Sequence, residues 1–130
     1  MRPPEHLPND DPREWLNRAR SNLALARTRP PGVYFEDLCF DVQQAAEKAI
    51  KAVMILRGID FPYTHDLTRL MSMLEARGES IPDPVRRAAG LTRFAGQTRY
   101  PSTEEPVTEQ EYAEALEIAE TVVRWAGERI

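Results

Sequence analysis

Cysteine, histidine and lysine are scarce in this chain of 130 residues, and each scarcity closes off a class of chemistry. The single cysteine, Cys39, cannot form an intramolecular disulfide. It falls among small and apolar residues, where a free thiol behaves as a buried hydrophobe, as expected in a reducing cytoplasm. The two histidines, His6 and His65, are far from each other and from Cys39, so no metal-ligand spacing is present. Neither a metal nor another cofactor is implied. The six glycines are scattered, without a Walker pattern or a Gly-x-Gly-x-x-Gly loop to cradle phosphate. No local signature marks a serine or cysteine nucleophile. Apolar runs stay short of the roughly 20 residues needed to span a bilayer, and the first eleven residues are polar and proline-rich rather than a signal peptide. Alternation with a period of two, internal repeats and a linker to a second domain are all lacking. The expectation is one soluble cytoplasmic domain, long enough to bury its own core, behind a flexible tail over residues 1–10.

Charge is plentiful but points away from a general nucleic-acid binder. The net charge is -4, whereas phosphate contacts call for an excess of cations. The basic residues are nearly all arginine, with Lys48 and Lys51 the only lysines. Arginine and proline together suggest a G·C-rich prokaryotic genome, and a local arginine patch remains compatible with the charge.

Five helices can be read along the chain. Asp11-Pro12-Arg13-Glu14 combines an N-cap acid, a proline at the first helical position and a glutamate at the third, predicting a helix to about Thr28. Its apolar face is Trp15, Leu16, Ala19, Leu23 and Ala26. The second helix is predicted from Tyr34 to Arg57, with Gly58 as its stop. Its apolar residues cover about half the circumference at about 100° per residue, so it should touch more than one neighbour. A third helix is expected after Phe61-Pro62-Tyr63, capped by Thr64 or His65 and ending before Gly78. Pro82-Asp83-Pro84 opens a fourth, with Val85, Ala88, Leu91, Phe94 and Ala95 on its inner side. A polar loop over 96–107 precedes a second capping box, Thr108-Glu109-Gln110-Glu111, which opens the last helix. On that helix Tyr112, Ala115, Leu116, Ala119, Val122, Val123 and Ala126 form the core face, with Ile118 and Trp125 off it. The fold class is all-α, a single up-and-down bundle over 11–130.

Three elements in order carry a family resemblance: Gln43-Gln44-Ala45-Ala46-Glu47-Lys48-Ala49-Ile50-Lys51-Ala52, then Thr64-His65-Asp66-Leu67, then Arg99-Tyr100-Pro101. Together they resemble the HEPN family, from about Trp15 to Trp125. The resemblance implies the same helical bundle, four-helix-like with an extra short helix. It also implies a homodimer, a nucleotide or RNA ligand, and a two-gene toxin–antitoxin unit with a separately encoded minimal nucleotidyltransferase. Many members are described as metal-independent RNases with the motif Arg-x4–6-His on one helix. That motif is missing here. Arg57 and His65 are separated by seven residues that include Gly58 and Pro62, which no single helical face can span.

The leading expectation is therefore a non-catalytic nucleotide-associated binding module. The alternative is an endoribonuclease toxin using His65 and Arg99. The ligand- or partner-binding candidates are Gln43, Glu47, Lys48, Lys51, His65, Asp66, Arg99 and Tyr100, and each has a plainer reading beside the functional one. Gln43 lies on the flank of the apolar arc and needs partners if buried. Glu47 and Lys51 are an i,i+4 pair, either a solvated face or a phosphate- or partner-binding one. His65 is either a helix cap or the wall of a cleft with Arg99 and Tyr100. The Arg99-Tyr100-Pro101 segment is either a structural loop or a ligand contact. Ile118 and Trp125 either cover the core edge or, with Phe40 and Ile55, contribute to a dimer stripe.

Overall fold

A computed structural model describes residues 2–96, 100–101 and 104–130, and no strand occurs among them. The helices are α1 (Pro12–Thr28), α2 (Phe35–Leu56), α3 (Leu67–Ala76), α4 (Asp83–Arg86), running directly into a 3-10 helix (Arg87–Ala95), and α5 (Glu109–Arg129). The expected all-α bundle is present. Helix ends follow the local chemistry. Asp11 caps α1 by accepting from the Arg13 amide, and Thr108 caps α5 in a complete capping box with Glu111. Gly58, at φ +70°, ends α2 in a Schellman motif: the Ile59 amide donates to Met54 O at 2.9 Å and the Gly58 amide to Ile55 O at 3.0 Å.

Two local expectations are corrected. The cap of α3 is Asp66, not Thr64 or His65; its carboxylate accepts from the Thr68 and Arg69 amides, and its own amide donates to Thr64 Oγ1. A carboxylate satisfies two orphan donors, whereas the His65 ring is engaged by Glu47 on α2. The fourth helix is α-helical for four residues only and then tightens to 3-10 geometry. The reason lies in its apolar residues, Val85, Ala88, Leu91 and Phe94, which recur every third position and are all buried. In an α-helix that spacing drifts about 60° per step, whereas in a 3-10 helix it forms one straight stripe facing the core.

Contacts between helix ends give the directions. Tyr112 at the start of α5 donates its hydroxyl to Ala26 O near the end of α1, at 2.6 Å, and stacks on Phe35 at the start of α2. At the other end, Gly127 of α5 lies against Leu16 and Arg20 of α1, leaving little room for a Cβ. Helix α1 therefore runs antiparallel to α5, and α5 runs alongside α2 in the same direction. The chain returns from the end of α2 through the extended stretch 59–66, which crosses back beside α2 before α3 begins. This return brings Thr64 and His65 level with Gln43, Glu47 and Lys51.

The core is one cluster centred on α2, whose Val42, Ala45, Ala46, Ala49, Ile50, Ala52 and Val53 are fully buried. Trp125 belongs to it. The expectation that Trp125 lies off the core face fails, since the residue is only 5% exposed and its ring is covered by the Arg129 guanidinium at 4.6 Å. Arg129 in turn pairs with Glu79, which also binds Arg57, tying the ends of α2 and α5 to the turn after α3.

Candidate functional site: the corner of α2 and the α3 approach

A polar row crosses the otherwise apolar inner side of α2. Gln43, Glu47 and Lys51 stand four residues apart, so their side chains lie one above the next. None is solvated: Gln43 is fully buried, Glu47 is 4% exposed and Lys51 6%. This corrects the solvated-face reading of Glu47 and Lys51, while Gln43, read as needing partners if buried, is buried and has them. The extended return over 59–66 lies across the row and removes it from water.

Glu47 is the centre of the arrangement. Its Oε2 accepts from Lys51 Nζ at 2.9 Å, and its Oε1 accepts from Gln43 Nε2 at 2.9 Å and meets His65 Nδ1 at 2.8 Å. Burial by itself pushes this carboxyl upward, but the three hydrogen bonds outweigh it and leave the pKa below its usual value. Lys51 completes its shell on Thr64 O at 3.2 Å and lies over the Phe61 ring at 5.0 Å. Gln43 accepts from Gln44 Nε2 at 2.7 Å. Every polar head in the row has a partner, as burial demands.

His65 joins this interior to the surface. With Nδ1 on the buried carboxylate, its side chain is 47% exposed, and the ring sits edge-on to Tyr63, which is almost wholly exposed. Chemically, an imidazole oriented through one nitrogen by a carboxylate can exchange a proton at the other.

The remaining candidates separate. Asp66 is occupied as the α3 cap. Lys48 turns away from the row toward α1, where its Nζ donates to Asn22 Oδ1 at 2.7 Å. Tyr100 is well exposed, and Arg99 lies outside the described residues. The structure thus brings Gln43, Glu47, Lys51 and His65 into one bonded unit and leaves Lys48 apart from it. Sequence reasoning missed Phe61 and the Thr64 carbonyl, which form the lid over Lys51. The available signal was the Gln43-x3-Glu47-x3-Lys51 spacing, a continuous stripe whose neighbours Ala46, Ala49 and Ile50 are core residues.

Among the described residues no group of three or more His, Cys, Asp or Glu is placed to hold a metal ion, and no helix is long and apolar enough to cross a membrane.

Comparison with known proteins agrees with this architecture. Over 93% of its length the chain is similar to TT1696 from Thermus thermophilus, at 31% identity and a TM-score of 0.80, covering 99% of that chain. It is also similar to ST0689, an archaeal HEPN homologue, at 26% identity and a TM-score of 0.72, covering 91% of this chain and 96% of that one. A search of curated proteins finds no match. The HEPN domain family model matches residues 12–130, all five helices included, and the chain belongs to the HEPN domain family.

Proposed function

We propose that this HEPN protein is a non-catalytic, nucleotide-associated binding module that acts as a homodimer with a separately encoded minimal nucleotidyltransferase, in a two-gene unit of toxin–antitoxin type. The observation that carries the non-catalytic reading is the closed bonding around Glu47. Both of its oxygens, the Lys51 ammonium and the Gln43 amide are spent on one another and on the backbone of the α3 approach. Groups committed in this way hold the fold and do not need a substrate to satisfy them. The Arg-x4–6-His spacing of the RNase members is absent, and the net charge of -4 disfavours holding a polyanion. Tyr63, nearly fully exposed beside His65, supplies an aromatic contact of the kind partner surfaces use.

The test is co-expression with the product of an adjacent gene that encodes a small protein with a Gly-Ser and paired-Asp nucleotidyltransferase signature. Co-purification lost in Tyr63→Ala but kept in a distant surface variant such as Glu114→Ala supports the reading. Two proteins that migrate separately at micromolar concentration would remove it.

The second reading, a metal-independent endoribonuclease using His65 and Arg99, is favoured by the Glu47–His65 contact. A buried carboxylate on Nδ1 orients an imidazole for proton transfer at its exposed nitrogen. Incubation with cellular RNA in chelator separates the two. The binding-module reading expects no cleavage above that of the His65→Ala, Arg99→Ala double variant, whereas cleavage abolished by His65→Ala in a folded protein establishes the enzyme.

A further inference from the structure

The segment before α1 folds back over the junction of α1 and α2. The Leu7 amide donates to Glu14 Oε1 at 2.9 Å, and Trp15 Nε1 donates to Asn9 O at 2.7 Å. Between this segment and the two helices lies a cavity of about 330 Å³. That volume is at the lower end of the range of small-molecule sites. It is a different place from the Glu47 unit, and its chemistry does not depend on a nucleotidyltransferase partner.

The charges lining the cavity do not balance. Glu14 is its one carboxylate, and it is already engaged by the Leu7 amide and by Arg18 Nε at 2.7 Å. These two bonds, the Leu7 amide first, hold it ionised below its usual range. Arg18 is thereby ion-paired, with its Nη2 reaching His6 Nδ1 at 3.4 Å. Lys48 is not. Its ammonium donates to the neutral Asn22 amide, which in turn donates to Asp41 Oδ1 at 3.1 Å, so Lys48 reaches a carboxylate only through Asn22 and none among the described residues forms a direct ion pair with it. Burial, and then the charge of Arg18, push the Lys48 pKa below its usual value, and the carboxylates of Glu47 and Asp41, which act on it only from a distance, do not reverse the shift. The rest of the lining includes the Trp15 ring and the Leu7 side chain, an apolar surface next to this surplus positive charge.

We propose that this cavity binds a small organic anion, its carboxylate or phosphate head on Lys48 and its flat apolar body against Trp15 and Leu7. The head gives the ammonium a direct counter-ion in place of the one it reaches only through Asn22, and the body displaces water from an aromatic wall. Both terms favour an amphipathic anion over an inorganic ion or a neutral ring.

The test is titration of the full-length 15N-labelled protein, followed by amide and indole N–H resonances, with three probes: indole-3-acetate, AMP and the uncharged analogue tryptophol. The Trp15 indole N–H reports on the cavity, and the buried Trp125 serves as the internal reference. Saturable shifts at Trp15, Leu7 and Asn9 with indole-3-acetate or AMP, at least 10-fold weaker for tryptophol, are expected, and whichever anion binds more tightly identifies the head group. Lys48→Met should weaken that binding at least 10-fold. Should Lys48→Met lose helicity, Leu7→Asp, placed outside the helical core, decides in its stead by adding a repelling charge at the cavity roof. Absence of shifts with both anions, equal binding of tryptophol, or affinity unchanged in the folded variant overturns the proposal.

Discussion

Glu47 occupies a position on α2 where the neighbouring helical turns present alanine and isoleucine to the core. An ionised carboxylate there is tolerable only because Lys51, Gln43 and His65 surround it, and removing its charge leaves the Lys51 ammonium buried without a counter-ion. Glu47→Gln is therefore expected to cost about 3–5 kcal/mol in urea unfolding at pH 7, the range for breaking a buried ion pair. A loss below about 1 kcal/mol would place the pair in the class of exposed ones. The pH dependence has a definite sign. The folded carboxyl titrates below its unfolded value, so at low pH the unfolded chain binds the proton more readily. The stabilisation is complete above about pH 4.3, the unfolded value, and is lost as pH falls through the lower folded one. Glu47→Gln should accordingly flatten the acid side of the stability profile. Cys39 offers a second residue-scale prediction. Its thiol is wholly buried, and burial pushes its pKa to about 12. At pH 7.5 the native protein should react with a disulfide reagent at least about 100-fold more slowly than the same protein in urea, since the thiolate is the reactive form. Equal rates would mean that the α2 core opens readily.

At the scale of the element, termini and periodicity account for more than propensity does. The capping box of α5 satisfies two orphan amides of a 21-residue helix whose first turn also carries Glu109 and Glu111 toward its positive end. Thr108→Ala should cost about 1 kcal/mol, measured as a lower urea midpoint at unchanged slope. A changed slope would indicate instead that the helix start unravels. The segment over 85–94 makes a different point. Its every-third-residue pattern is visible in the sequence, yet the commoner α-helical period also accommodates it. Gly90 within it weakens the α form, and core contact along a period of three then selects the tighter helix. Asp66 shows the same competition: a histidine or threonine can stand at a helix start, but an aspartate one position on caps it better.

For the whole molecule, the prediction is a two-fold homodimer by light scattering at micromolar concentration. HEPN resemblance supplies the expectation, and a two-fold pair is the commonest oligomer. The sequence-level support narrows once the fold is known, because Trp125 is part of the core, while Phe40, Ile55 and Ile118 are partly covered. Leu25, Leu56 and Tyr34, on or beside α1 and α2, are among the more exposed apolar side chains. A Leu25→Glu variant that remains dimeric would exclude α1 from the contact, and a wild-type protein that scatters as a monomer would remove the dimer altogether.

What the sequence determined by itself is the set of features written in short range. Helix starts at Asp11 and Thr108, the stop at Gly58, most of the apolar faces of α1 and α5, with Trp125 the exception and Trp15 and Leu116 only partly buried, and the all-α class follow from spacing and capping within a few residues, because backbone geometry repeats at that distance. The family was legible as well, since its three elements keep their order along the chain. What only the tertiary structure decided is which polar groups are buried and with whom. Glu47 and Lys51 look like the polar side of a helix, and Gln43 like the flank of its apolar arc, until the return over 59–66 lies across them and His65 arrives from 18 residues beyond Glu47. Lys48, between them in sequence, is turned instead to α1 and the cavity beneath the N-terminal segment. Burial is a property of what packs on a face, and a carboxylate's partners are set by approach in space. Neither is written in the period of the helix that bears them.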